Sequence, residues 1–141
     1  MEIVRGKVNK NFWENKRVYL TGHTGFKGAW MTIWLESMGA VVKGYALEPN
    51  TNPNLFNLSS LSDNIESEIG DIRNLSQIST SMLEFNPDIL IHMAAQSLVR
   101  YSYDSPIETY EVNVIGTAKV FEVARSCSNL RAIINVTSDK C

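Results

Sequence analysis

Short apolar strands alternate with helix-forming segments along the whole 141-residue chain, which predicts an α/β fold built as a doubly wound parallel sheet. Two further observations agree. A glycine-rich turn, TGHTGFKG at residues 21–28, joins the first strand to the first helix. Polar residues then recur directly after strands, where open α/β sheets place their ligands.

The elements follow in order. KRVYLTG (16–22) is a short apolar strand closing on a glycine, and FKGAWMTIWLESMG (26–39) is a helix ending at Gly39, with Trp30, Ile33, Trp34 and Met38 at helical spacing. AVVKGYAL (40–47) is a second strand, on which Lys43 is expected as a solvated residue. The Pro-, Asn- and Ser-rich stretch 48–64 is a long loop, of a length that is usually functional or mobile. IESEIGD (65–71) is a weaker strand, NLSQISTSMLEFN (74–86) a modest helix, and PDILIHMAA (87–95) a buried strand by its unbroken apolar run. The segment 105–127 is a long helix with Pro106 suited to its first turn, and RAIINVTS (131–138) is the last strand.

With 44% hydrophobic and 20% charged residues, the composition is that of one globular domain with a real core. Its 13 basic and 15 acidic residues are dispersed, giving a net charge of -2, so neither a nucleic-acid stripe nor an acidic tail is present. Cys127 and Cys141 lack zinc-site spacing, and free thiols fit a reducing compartment. No leader-like apolar run opens the sequence, and no stretch approaches the roughly 18 apolar residues of a membrane span, so a cytoplasmic location is expected.

Gly22, Gly25 and Gly28 meet a specific physical need at the first strand–helix junction. One glycine permits the tight turn, one lets backbone amides approach a pyrophosphate, and one lets the helix pack close to the sheet. The helix N-terminus then offers free N–H groups and the positive dipole end to phosphates. Three glycines also suit a turn without a ligand, but their place after a strand and before a helix favours a dinucleotide. Their G-x-x-G-x-x-G spacing differs from the commoner G-x-G-x-x-G.

An acid is expected near the end of the second strand to bind ribose hydroxyls. Glu48 lies just past that strand, beside Pro49, while Ala46 is nearer its end. No Arg pair for a 2′-phosphate is present, so NAD is preferred over NADP. Asp71 follows the third strand and suits either an adenine amino group or the N-cap of the helix beginning near Asn74. Ala94 and Ala95 are small enough for backbone to lie against a cofactor or simply to pack closely. His92, inside an apolar strand, is expected to be a core histidine.

In this order, TGHTGFKG, GDIR, HMAAQS, NVIGT and TSDK resemble the extended short-chain dehydrogenase/reductase superfamily. Within it, TGHTGFKGAW, VKGYALEP, HMAAQSLVR and NVTSDKC resemble the CDP-glucose 4,6-dehydratase family, over nearly the whole chain from about Phe12. The resemblance implies an NAD-binding Rossmann domain followed by a smaller sugar-nucleotide domain. It also implies conversion of CDP-D-glucose to CDP-4-keto-6-deoxy-D-glucose, with bound NAD not consumed. Carried over by position, Gly22, Gly25 and Gly28 form the pyrophosphate turn, with Phe26 and Lys27 contributing backbone. Asp71 and Ile72 contact adenine; Ala94, Ala95 and Gln96 form the nicotinamide-side strand end; Asn113 holds the active-site architecture; and Thr137 lies beside the cofactor.

Ser138, Asp139 and Lys140 take the catalytic roles that the resemblance implies: hydroxyl at the sugar C4 oxygen, acid expelling the C6 hydroxyl, and base. A lysine base needs its pKa lowered from about 10.4 toward neutrality by desolvation; ion-paired with Asp139 it would stay charged. Gln96, Val99 and Arg100 are candidate sugar-nucleotide contacts.

The superfamily's Tyr-x-x-x-Lys pair does not occur in this sequence: Tyr101, Tyr103 and Tyr110 are not followed four residues later by Lys. Tyr101 and Tyr103 are read as loop or substrate-side residues. The expectation is an N-terminal portion, truncated before the Tyr-bearing helix and the substrate domain and inactive alone. Val112, Ile115, Val120 and Phe121 would then be partly uncovered, which favours a homo-oligomer. Two alternatives stay open: another extended short-chain epimerase or dehydratase, which would not be expected to place Lys140 after Asp139, and a non-catalytic NAD-binding module.

Overall fold

A computed structural model describes residues 8–137. Five strands, β1 (Arg17–Thr21), β2 (Val41–Ala46), β3 (Glu66–Ile69), β4 (Ile89–His92) and β5 (Ala132–Asn135), form one parallel sheet in the order β3-β2-β1-β4-β5. The doubly wound expectation holds. The reversal of strand order falls between β1 and β4, where the chain returns from β3 at the edge to pair on the other side of β1.

Alternation along β1 explains why both faces are covered. Val18 and Leu20 point to one side, where they pack with Leu35 of α2 (Phe26–Ser37), Val42, Ile89 and Ile91. Tyr19 points to the other, against Ile78, Met82 and Phe85 of α4 (Leu75–Phe85) and Val120 and Val123 of α7 (Thr117–Ala124). All four of Val18, Tyr19, Leu20 and Thr21 are fully buried, as the central strand of a two-sided sheet requires.

The helices start and stop for local reasons. Asn74 caps α4, its side chain accepting from the Gln77 amide, and Asn86 ends it in the left-handed region. Gly39, with φ 83°, turns the chain out of α2. Short helices α1 (Lys10–Trp13) and α5 (Val99–Asp104) complete the set with α3 (Leu55–Leu58), while α6 (Pro106–Tyr110) opens on its proline.

Several expectations need correction. The stretch 48–64 is not a bare loop: it contains α3 and a 3₁₀ turn (Leu61–Asp63), and Phe56 and Leu61 bury against Ala29 of α2. Consequently α2 is apolar on more than one side. It buries Ala29, Thr32 and Leu35, while Trp30 and Trp34 stay about half exposed, so the aromatic pair is not its core face. Lys43 is buried, not solvated, its ammonium ion-paired with Glu66 and Glu68 of β3 at 3.9 and 3.4 Å. Tyr101 and Tyr103 lie on α5 rather than in a loop. The expected long helix runs unbroken over 106–124, with a wider, π-type turn (Glu111–Gly116) between α6 and α7. Val120 is fully buried there, so it does not belong to an uncovered face.

Candidate functional site

The C-terminal ends of β1 and β4 converge on the glycine turn. Gly22 adopts φ +82°, and a Cβ there would lie 2.9 Å from the Ala94 nitrogen, so only glycine lets the turn touch the β4 end. Gly28 is tighter still: a Cβ would stand 2.0 Å from the Gly22 carbonyl oxygen, which brings the first turn of α2 onto the loop. A Cβ on Gly25 would meet nothing nearer than that oxygen, at 3.4 Å. Gly25 is the N-cap of α2 and lends no side chain to the helix, while Phe26 and Lys27 are exposed. The first N–H groups of a 12-residue helix are therefore left to an outside acceptor, the arrangement that suits a phosphate.

Thr21 joins the two strand ends. Its Oγ1 accepts from the Met93 and Ala94 amides, each at 3.1 Å, and lies 2.7 Å from His92 Nδ1. His92 Nε2 in turn lies 2.9 Å from Thr117 Oγ1. It is a core histidine, as expected, and burial lowers its pKa to about 4.

Asn113 sits in the π-type turn and clamps the chain beyond β4. Its Oδ1 accepts from the Gln96 amide at 2.8 Å, and its Nδ2 donates to the Gln96 carbonyl at 2.9 Å. Ala94 and Ala95 lead into this clamp, with Ala95 exposed. The Gln96 side chain itself folds back, donating to Thr109 Oγ1 and the Leu98 carbonyl and accepting from the Leu98 amide. It shapes the loop, while Asn113 engages both the N–H and the C=O of the Gln96 backbone.

Asp71 is not a helix cap, since Asn74 performs that role. Its carboxylate accepts from the Arg73 amide at 2.8 Å and from the Arg73 guanidinium at Nε and Nη2, the latter at 2.6 Å. Arg73 holds the carboxyl below the usual Asp range and also pairs with Glu108 at 3.4 Å, so Asp71 is oriented from the helix side of the cleft. The Ile72 side chain is buried, its tip filling the space that Gly116 leaves open. Glu48 is exposed just past β2, and Thr137 is exposed just past β5. Ser138, Asp139 and Lys140 lie outside the described residues.

Sequence reasoning placed the three glycines, Asp71, Ala94, Ala95 and Asn113 around one cleft. It missed Thr21, His23 and Arg73. Arg73 had a legible signal, an arginine two residues after the acid in GDIR. The signal for His23 was Gly44, a glycine within a strand, which marks close approach of another group.

A family model described as GDP-mannose 4,6 dehydratase matches residues 20–140. The chain is 54% identical over 95% of its length to CDP-glucose 4,6-dehydratase of Salmonella typhimurium, of which it covers 37%. It is 31% identical to CDP-paratose 2-epimerase of Salmonella typhi, over 88% of this chain and 37% of that protein. Among solved structures, UDP-glucose 4-epimerase of Bifidobacterium longum, in complex with NAD+ and UDP, superposes with a TM-score of 0.77 at 27% identity, covering 87% of this chain and 37% of that one. The chain thus spans a little over a third of the relatives it matches. With the glycine turn, the strand order and the matched residues in agreement, the chain belongs to the GDP-mannose 4,6 dehydratase family of sugar-nucleotide dehydratases.

Proposed function

We propose that this chain is the NAD-binding Rossmann domain of a CDP-glucose 4,6-dehydratase, and that the sugar-nucleotide domain corresponds to the part of its relatives beyond the match. The observation that carries the proposal is the turn at Gly22, Gly25 and Gly28, where two glycines are needed for closeness and the third leaves uncapped N–H groups open. The similarity to the Salmonella typhimurium enzyme supports the substrate class.

The pyrophosphate would be held by the amides of Phe26 and Lys27 at the start of α2, the Gly25 amide being taken by the Gly22 carbonyl at 3.1 Å. Asp71 would accept from the adenine amino group, the Ile72 backbone would line the same end, and Glu48 would serve the ribose. NAD is favoured over NADP because the cations near that end are committed. Lys43 is held by Glu66 and Glu68, and Arg73 by Asp71 and Glu108. Ala94, Ala95 and the Gln96 backbone, fixed by Asn113, would flank the nicotinamide, with Thr137 beyond the end of β5 beside it.

When bound, the cofactor supplies reversible storage of one hydride. The chain's own residues manage the sugar. Ser138 hydrogen-bonds the C4 oxygen, Asp139 delivers a proton to the departing C6 hydroxyl, and Lys140 removes the C5 proton that the neighbouring ketone has acidified. Full-length protein incubated with CDP-D-glucose is expected to convert the C6 hydroxymethyl to a methyl group, read by proton NMR, with no net change in NADH. Turnover of a UDP- or GDP-sugar in its place would contradict the assignment of substrate.

A further inference from the structure

The glycine turn carries two polar side chains that face away from any phosphate. Thr24 Oγ1 donates to the Leu47 carbonyl, just past β2, at 2.8 Å. The His23 ring is fully buried and lies over Gly44 of β2, where a Cβ would stand 2.3 Å from its Cγ. His23 Nε2 lies 2.7 Å from Ser67 Oγ of β3, and Phe56 meets the ring edge-on at 5.2 Å. The turn is also tied by its backbone, the Gly22 amide donating to the Tyr45 carbonyl at 2.9 Å.

This histidine is a poor choice for stability alone. Among the described residues its Nδ1 has no hydrogen-bond partner, a buried polar atom left at a cost that an apolar residue of similar size would avoid. A second rule is broken at Gly44, because glycine inside a strand weakens it. Both departures serve one geometry. They let a rigid, polar ring bridge the phosphate turn to the strands whose ends carry Glu48 and Asp71.

We propose that His23, seated on Gly44 and tethered to Ser67, is a positioning residue that fixes the distance between the pyrophosphate turn and the adenosine-side acids. The proposal rests on the dinucleotide reading of the turn. A dinucleotide must contact both places at once, so loosening the tether weakens its binding without touching any group in contact with it.

The test is a double-mutant cycle on this chain, with NAD+ and NADH affinity measured by calorimetry and global stability by urea unfolding. Ser67→Ala removes only a hydroxyl from a half-buried strand position, so it folds even should His23→Leu not. Each single variant is expected to weaken dinucleotide binding by about tenfold and the double variant no further, because all three lose the same contact. Urea midpoints, unlike the equal affinity losses, should differ among the variants, since His23→Leu removes an orphaned nitrogen and Ser67→Ala does not. Undiminished affinity in Ser67→Ala, or losses that multiply in the double variant, would overturn the proposal. Failure of the unsubstituted chain to bind NAD+ or NADH would instead overturn the dinucleotide reading, and this proposal with it.

Discussion

At the scale of single residues, two buried histidines make the fold sensitive to acid. Burial lowers the pKa of His23 and of His92 from 6.5 to about 4, so each is neutral when folded and gains a proton on unfolding. Between these values the unfolded chain binds more protons, and stability therefore rises with pH. The contribution is complete above 6.5 and is lost as pH falls toward 4. Moving from pH 7.5 to pH 5 should cost on the order of 2 kcal/mol per histidine, as an upper figure, read as a lower urea midpoint. His92→Gln should flatten part of that dependence.

The glycines and His92 were legible because their demands are local: a positive φ, a close approach, an apolar strand. Lys43 and Gln96 were not. The Lys43 side chain is buried by acids 23 and 25 residues later in the sequence, and only the parallel pairing of β2 with β3 brings Glu66 and Glu68 to it. Gln96 turns back on its own loop, a choice fixed by Thr109 on the following helix.

At the scale of elements, the π-type turn between α6 and α7 links packing to the site. Gly116 admits Ile72, Thr117 Oγ1 bonds the Asn113 carbonyl at 2.8 Å, and Asn113 is left free to grip the Gln96 backbone. Such turns recur at functional sites because an extra residue redirects one side chain. Asn113→Ala strands both polar groups of Gln96 and should destabilise the chain by about 2 kcal/mol. Hydrogen exchange of the Gln96 amide should quicken more than that of β4 amides; equal acceleration would mean that Asn113 supports the fold generally and not this loop. Periodicity predicted one continuous helix, which the chain forms over 106–124, but gave no sign of the π-type turn within it. In α2 the same signal found the helix, but no pattern within it shows that residues 48–64 cover a second side.

At the scale of the whole molecule, the parallel doubly wound sheet was legible from strand–helix alternation, because right-handed crossovers place helices on both faces of such a sheet. What alternation does not reveal is which surfaces await a partner. Ile107, Tyr110, Val114 and Ile115 are each at least half exposed along residues 106–124, and Ile133, Ile134 and Val136 are exposed at or near the β5 edge. Apolar surface of this extent favours association. Sedimentation velocity at micromolar concentration is expected to show dimers or larger species, with Val114→Lys shifting the balance toward monomer; a clean monomer without that substitution would contradict the expectation.

The proposed cofactor site within these 141 residues is built from the turn at Gly22, Gly25 and Gly28, together with Asp71 and the Asn113 clamp. Calorimetric titration of the chain with NAD(H), and separately with NADP(H), tests it most directly. The account predicts binding of NAD(H) with a weak or absent response to NADP(H); binding of neither, or preference for NADP(H), would contradict it.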